Sequence, residues 1–261
     1  MMHFTTVTAR AMDDYLENVL PEVLEQGQPL IPVDRSEPID WQADDAPPWL
    51  GLRYPHEGPL VLLAVCRRNR SEGGADLRTF YPAALDGLPV DVQVVGIDED
   101  RRAGEAVITA HTGTGLHLRY FEPLYCTRRS MYRDGVWLRI GLAGLVHELW
   151  TDEATEPSPN VRPYVLQTDD EVPDSGSFRC RVERVGYLEL IEEGVYRLEV
   201  TLDEGIEQLG PESGAKAILY VGEHQLEGGT PPEPGEVIRG ALWLQGVACE
   251  VISPPSWLAD T

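Results

Sequence analysis

The apolar positions Met12, Tyr15, Leu16, Val19, Leu20, Val23 and Leu24 recur at steps of three and four residues, which predicts an amphipathic helix from about Val7 to Gln26. Pro21 removes a backbone donor inside that pattern. A kink or two short helices are therefore expected, the second starting near Pro21, with Gly27 as the stop. From 28 to 59, Pro29, Pro32, Pro38, Pro47, Pro48 and Pro55 exclude regular structure from most of the stretch, which Trp41, Trp49 and Leu50 pin to a core. Leu60 to Arg67 then reads as a buried strand, ended by the polar turn Arg67 to Gly74.

Beyond Val90 the period shortens. Val92, Val94 and Val95-Gly96-Ile97 predict one strand, Ala106 to Ala110 a second, and Leu116, Leu118, Tyr120 and Phe121 to Tyr125 a third, with Gly113 and Gly115 in the turn. The apolar run from Val136 to Trp150 is long enough for a helix, but Gly135, Gly141 and Gly144 favour a buried strand. The acid- and proline-rich residues 151–176 read as a linker, in which Val161 to Gln167 suggests an edge strand. Further on, Phe178, Cys180 and Val182 alternate with Arg179, Arg181 and Glu183, as Leu198, Val200 and Leu202 do with Arg197, Glu199 and Thr201. This is the pattern of half-buried antiparallel strands with arginine and glutamate paired on the outer face. Lys216 to Gly222 and Glu236 to Val251 predict two more, separated by the irregular loop Glu227 to Gly235.

The predicted fold is mainly β with an N-terminal α+β segment. Residues 1–85 form the α+β unit, 86–150 a first β unit, 151–176 the linker and 177–261 a second β unit. Both β units run in the same order: a long strand, a hairpin, a third strand, a loop ending in glycine, and a long last strand. Gly135 and Arg139 in one correspond to Gly235 and Arg239 in the other. A unit of about 70 residues with this order is the size of an oligonucleotide-binding-type small barrel, although β-sandwich halves give the same pattern.

Charge narrows the choice of partners. The chain has 261 residues, 44 acidic against 21 basic, for a formal net charge of −23. The net is −6 over residues 1–85, −2 over 86–150 and −15 over 151–261. Such a field repels nucleic acid and anionic lipid and attracts a basic protein. No run of about 18 to 20 apolar residues and no basic-then-apolar leader occurs, so no membrane association and a cytoplasmic location are expected. Cys66, Cys126, Cys180 and Cys249 are widely spaced within apolar runs and read as buried free thiols.

Phosphate-loop, dinucleotide-binding, zinc-protease and nucleophile-elbow motifs are absent from the sequence. Asp98-Glu99-Asp100 starts like a calcium loop, but Arg102 and Ala103 stand where a ligand and the turn glycine are needed, which leaves a solvated hairpin tip. His3, His56, His111, His117, His147 and His224 lack ligand spacing, so neither metal nor cofactor is expected. Cys126, before Arg128-Arg129 and with His111, His117 or His147 as base, is the strongest nucleophile candidate, outweighed by the frequency of core cysteines. Phe121, Tyr125 and Tyr132 interleave with Arg119, Arg128, Arg129 and Arg133 in the manner of a single-strand nucleic-acid platform.

The favoured reading is a non-enzymatic acidic protein-binding module, an immunity-type inhibitor or DNA mimic that caps a basic partner such as a toxin or nuclease. Glu189, Glu192, Glu193, Glu199, Asp203, Glu204 and Glu207, around the first hairpin of the last unit, are the expected contact residues. A structural or assembly component of tandem β units and a tandem nucleic-acid-binding protein are the alternatives.

Overall fold

The computed structural model describes residues 12–32, 47–69, 74–151, 165–168, 175–202 and 215–254. At the N-terminus, α1 (Met12–Asp14) runs through a π-turn (Tyr15–Val19) into α2 (Leu20–Gln26). The wide turn lies immediately before Pro21, which takes an early position in α2 where its missing N–H costs nothing. Tyr15, Val19 and Val23 are buried, whereas Leu16 and Leu24 are exposed, so the buried face is narrower than the apolar stripe. The start of the expected helix, from Val7, lies outside the described residues.

Behind the helix stands a four-stranded antiparallel sheet in the order β1 (Gln28–Pro29), β2 (Trp49–Tyr54), β3 (Leu60–Asn69), β4 (Gly74–Ala84). Two of these strands correct the sequence reading. β2 is the proline-free hexapeptide between Pro48 and Pro55, so the prolines bound a strand rather than forbid one. β4 shows no apolar alternation at its exposed start and contains Pro82, which it tolerates as the edge strand of this sheet.

The remaining strands form one nine-stranded sheet. They are β5 (Leu88–Asp100), β6 (Glu105–Thr112), β7 (His117–Phe121), β8 (Trp137–Thr151), β9 (Val165–Thr168), β10 (Ser175–Leu190), β11 (Glu193–Thr201), β12 (Lys216–Gly222) and β13 (Val237–Ile252). Its pairings close it twice. β5, β6, β7, β13 and β8 make one barrel-like ring, and β10, β11, β12, β8 and β13 make a second. The long antiparallel pair β8–β13 belongs to both. Each unit's third strand crosses to the other unit's last strand, β7 to β13 through Gln245–Phe121 and β12 to β8 through Ile218–Ala143 to Tyr220–Leu145.

The correspondence of Gly135 with Gly235 holds in detail. Both have positive φ, which glycine adopts without strain. Gly135 N–H donates to Val94 O and Val94 N–H to Val136 O. Likewise Gly235 N–H donates to Val182 O and Val182 N–H to Glu236 O. A bulge follows each valine. Along the shared pair, Arg139 lies opposite Glu250 and Arg239 opposite Trp150, an approximate two-fold centred on Gly144–Leu244.

Alternate residues of the shared strands face different cores. Leu138, Ile140, Leu142, Leu242 and Leu244 join the cluster that fills the rings. Ala143, Leu145, Trp243 and Val247 join a second cluster with Tyr15, Val19, Val23 and Leu60 to Val65 of the N-terminal unit. Burial on both faces is why these strands read as unbroken apolar runs. Each fully buried leucine or isoleucine contributes about 1.5–3 kcal/mol.

One polar residue crosses this joint. Gln245, fully buried, accepts from Ala84 N–H (2.8 Å) and donates to Pro82 O (3.1 Å), so its amide stands in for the strand that β4 lacks on its open edge. Gln245→Leu leaves both groups unpaired, and urea unfolding is expected to register about 1–3 kcal/mol of lost stability for each.

Candidate functional site

The hairpin of β10 and β11 outruns its ring. β13 pairs with β10 only from Ser175 to Arg181, and beyond Val182 the strand is paired through β11 alone among the described residues. The turn Leu190-Ile191-Glu192-Glu193 has positive φ at both central residues, 48° and 65°, the geometry that follows the twist of a two-residue hairpin. The two faces of this extension differ. Leu188, Leu190, Ile191 and Val195 pack on the cluster shared with the N-terminal sheet. On the opposite face Tyr187 lies directly across from Tyr196, ring centroids 5.2 Å apart and edge to face.

Tyr187 is 56% exposed, unusual for a large aromatic residue. Its hydroxyl hydrogen-bonds to Glu223, which enters from the short turn after β12. Partial desolvation, then the Glu223 and Glu189 carboxylates, hold that hydroxyl above its ordinary value. Glu189 alternates onto the same face as Tyr187, and Glu192 projects from the tip; both are exposed. Two tyrosines in edge-to-face contact, with the Glu223 and Glu189 carboxylates beside Tyr187, combine an exposed ring with negative charge, which suits cationic side chains.

The seven residues expected from the sequence separate on this hairpin. Glu189 and Glu192 belong to the exposed site, and Glu193 is half-buried beside the turn. Glu199 alternates onto the other face, where Arg197 holds it at 2.9 Å and Arg184 approaches at 3.8 Å. Its charge is thereby spent within the fold, together with that of Asp86, which accepts from Arg197 at 2.8 Å. Asp203, Glu204 and Glu207 lie outside the described residues. Sequence reasoning missed Tyr187, Tyr196 and Glu223. The alternation about Tyr187 was a signal for the first two; nothing local marks Glu223, which only ring closure brings near.

The aromatic and basic stretch before β8 has a different role from a stacking platform. Phe121, Tyr125 and Tyr132 are all buried, so their rings serve the core. Beside them Glu122 is fully buried and accepts from Leu124 N–H and Ala248 N–H, each at 2.9 Å, and from the Tyr132 hydroxyl. Arg128 donates to Ala248 O, so α3 (Tyr125–Arg128) is tied to β13 by both signs of charge. Cys126 is part-exposed, and burial, then the Glu122 carboxylate, pushes its thiol up to about 12, which suppresses the thiolate at neutral pH. Cys66 and Cys180 are buried free thiols, whereas Cys249 is free but exposed, contrary to expectation.

Among the described residues no three histidine, cysteine or acidic side chains converge as metal ligands. His111 and His117 face each other across β6 and β7 with rings 5.1 Å apart, and burial, then His111 and Arg119, lowers the His117 pKa. Asp100, in the stretch read as a hairpin tip, accepts from Arg102 N–H and Ala103 N–H, capping its own turn. A groove of about 490 Å³ between the end of β8 and the loop before β13 is lined by Trp150, Leu226, Pro231 and Pro232, with Glu233 and Glu236 at its side. No helix among the described residues is long and apolar enough to cross a membrane. Comparison with protein-family models, curated proteins and solved structures found no match.

Burial, the largest influence, holds the Glu122 carboxyl above its ordinary value against Arg128, the Tyr132 hydroxyl and the two backbone donors. A carboxyl raised on folding binds its proton more tightly folded than unfolded. Its contribution to stability is therefore greatest in acid and falls as the pH rises from the ordinary carboxyl value through the raised one. Glu122→Gln removes that titration and sets an amide N–H against backbone donors, costing about 1–3 kcal/mol at neutral pH. Urea melts from about pH 4 to 8 are expected to show the variant's deficit shrinking as pH rises. Parallel profiles would contradict the assignment.

Proposed function

We propose that this chain is an acidic protein-binding module that engages a basic partner protein through the β10–β11 hairpin, as an immunity-type inhibitor or DNA mimic does. The observation that carries the reading is the exposed Tyr187, packed on Tyr196 and bordered by Glu189 and Glu223, with Glu192 exposed at the turn of the same hairpin. Tyrosine supplies contact area at low entropic cost and is enriched where binding energy concentrates. The carboxylates add attraction for cations, and the −15 net charge of residues 151–261 extends that attraction in range. Glu199 and Asp86, already engaged by Arg197, contribute less to it.

Several features accord with binding rather than catalysis. The strongest nucleophile candidate, Cys126, is held as a thiol, and the buried Glu122 spends its oxygens on backbone and Tyr132. Four free cysteines, one of them exposed, suit a reducing, cytoplasmic setting.

The test is capture of proteins from a lysate of the native host at low salt, with release at high salt and identification of what is released. A single basic protein eluted by salt is expected. The triple reversal Glu189→Lys, Glu192→Lys and Glu223→Lys is expected to weaken its binding by about tenfold or more, chiefly through slower association. Unchanged affinity in the triple variant would overturn the reading.

A further inference from the structure

The distal half of β10 is an open sheet edge. In a hairpin closed by a two-residue turn, the residues flanking the turn exchange backbone hydrogen bonds, and bonded and non-bonded pairs then alternate. Leu190–Glu193, Leu188–Val195 and Gly186–Arg197 are the bonded pairs of this register. Glu189–Gly194, Tyr187–Tyr196 and Val185–Leu198 are the pairs between them. The N–H and C=O groups of Val185, Tyr187 and Glu189 therefore point away from β11. On that side the last described partner is the turn before β13, through Val182. Gly186, Tyr187 and Glu189 are exposed, and among the described residues no strand pairs with this side of them.

The corresponding stretch in the first ring, Val95 to Asp100 beyond the pairing with β8, has a different setting. There Arg129 reaches Glu99 on β5 at 2.9 Å, and Gly104 after the strand lies against the Trp49 ring. The two rings match in topology, and the exposed Tyr187 sets the second edge apart.

We infer that the edge from Val185 to Glu189 receives an extended, arginine- or lysine-bearing segment of the partner as an added β-strand, which rests on the binding reading above. Three donors and three acceptors in alternation are the backbone half of such recognition, and side chains on either face supply selectivity. Charge complementarity selects the occupant. Glu189 and Glu223 lie beside Tyr187 on this hairpin, Glu192 stands at its turn, and Tyr187 offers a ring face to a cation. A second copy of this chain is disfavoured, because it would bring the same carboxylates, and another net charge of −23, against them.

The probe is a synthetic eight-residue peptide alternating arginine and valine, compared with the same peptide N-methylated at every backbone nitrogen. The two carry equal charge, and only the first can complete a backbone ladder. With the full chain, the unmethylated peptide is expected to bind at least about tenfold more tightly. Amide exchange followed by NMR is expected to slow at Val185, Tyr187 and Glu189 only in its presence. Equal binding of the two peptides overturns strand addition and leaves the acidic attraction standing. Absence of binding by either, or protection elsewhere, also overturns it, while capture of a salt-released basic protein would separately sustain the broader reading.

Discussion

Both rings depend on the pairing of β8 with β13. Each strand serves as wall to two barrels and as the floor on which the N-terminal sheet rests, so neither ring closes without the other unit's last strand. The consequence is a chain whose two β units are interleaved rather than strung together. It also explains the sequence of the seam: a strand with core on both faces has no position for a polar residue unless that residue is fully satisfied. Gln245 meets that condition through Pro82 and Ala84, and Gly246 gives the Tyr120 ring room to lie over the main chain close to where β7 joins.

Buried polar groups mark the joints between elements. Glu122 joins the segment after β7 to β13, Gln245 joins the N-terminal sheet to β13, and Gln225 donates to Val146 O and His147 O beside the bulge in β8. Each pairs backbone groups that a ladder leaves over at an edge or bulge. Such groups tolerate one arrangement, which orients the elements more narrowly than apolar contact alone.

The acidic hairpin follows from the same architecture. β10 and β11 extend past the ring because β13 turns away at Gly235, and the outward continuation is supported on one face by the N-terminal unit. That support leaves the other face free to display Tyr187 with carboxylates around it. Negative charge along the chain is thereby divided between residues that neutralise arginines within the fold, such as Asp91 against Arg139, and exposed residues on the hairpin such as Glu189.

Local periodicity was enough to determine the mainly β character, the helix interrupted at Pro21, most strands of the two β units and the kinship of Gly135 with Gly235. These rest on backbone preference and burial pattern within a few residues. β2 and β4 were illegible, because flanking prolines masked one and the other draws its stability from β3 and from a glutamine about 160 residues away. In the site, the exposure of Glu189 and Glu192 was readable from their place at a hairpin turn, but the face of each strand and the arrival of Glu223 were not. The sequence by itself determined where charge and strands occur along the chain. Only the tertiary structure decided that the last strands are shared, that Glu199 is paired with arginine and that Tyr187 lies open, because ring closure joins residues whose separation leaves no trace in local pattern.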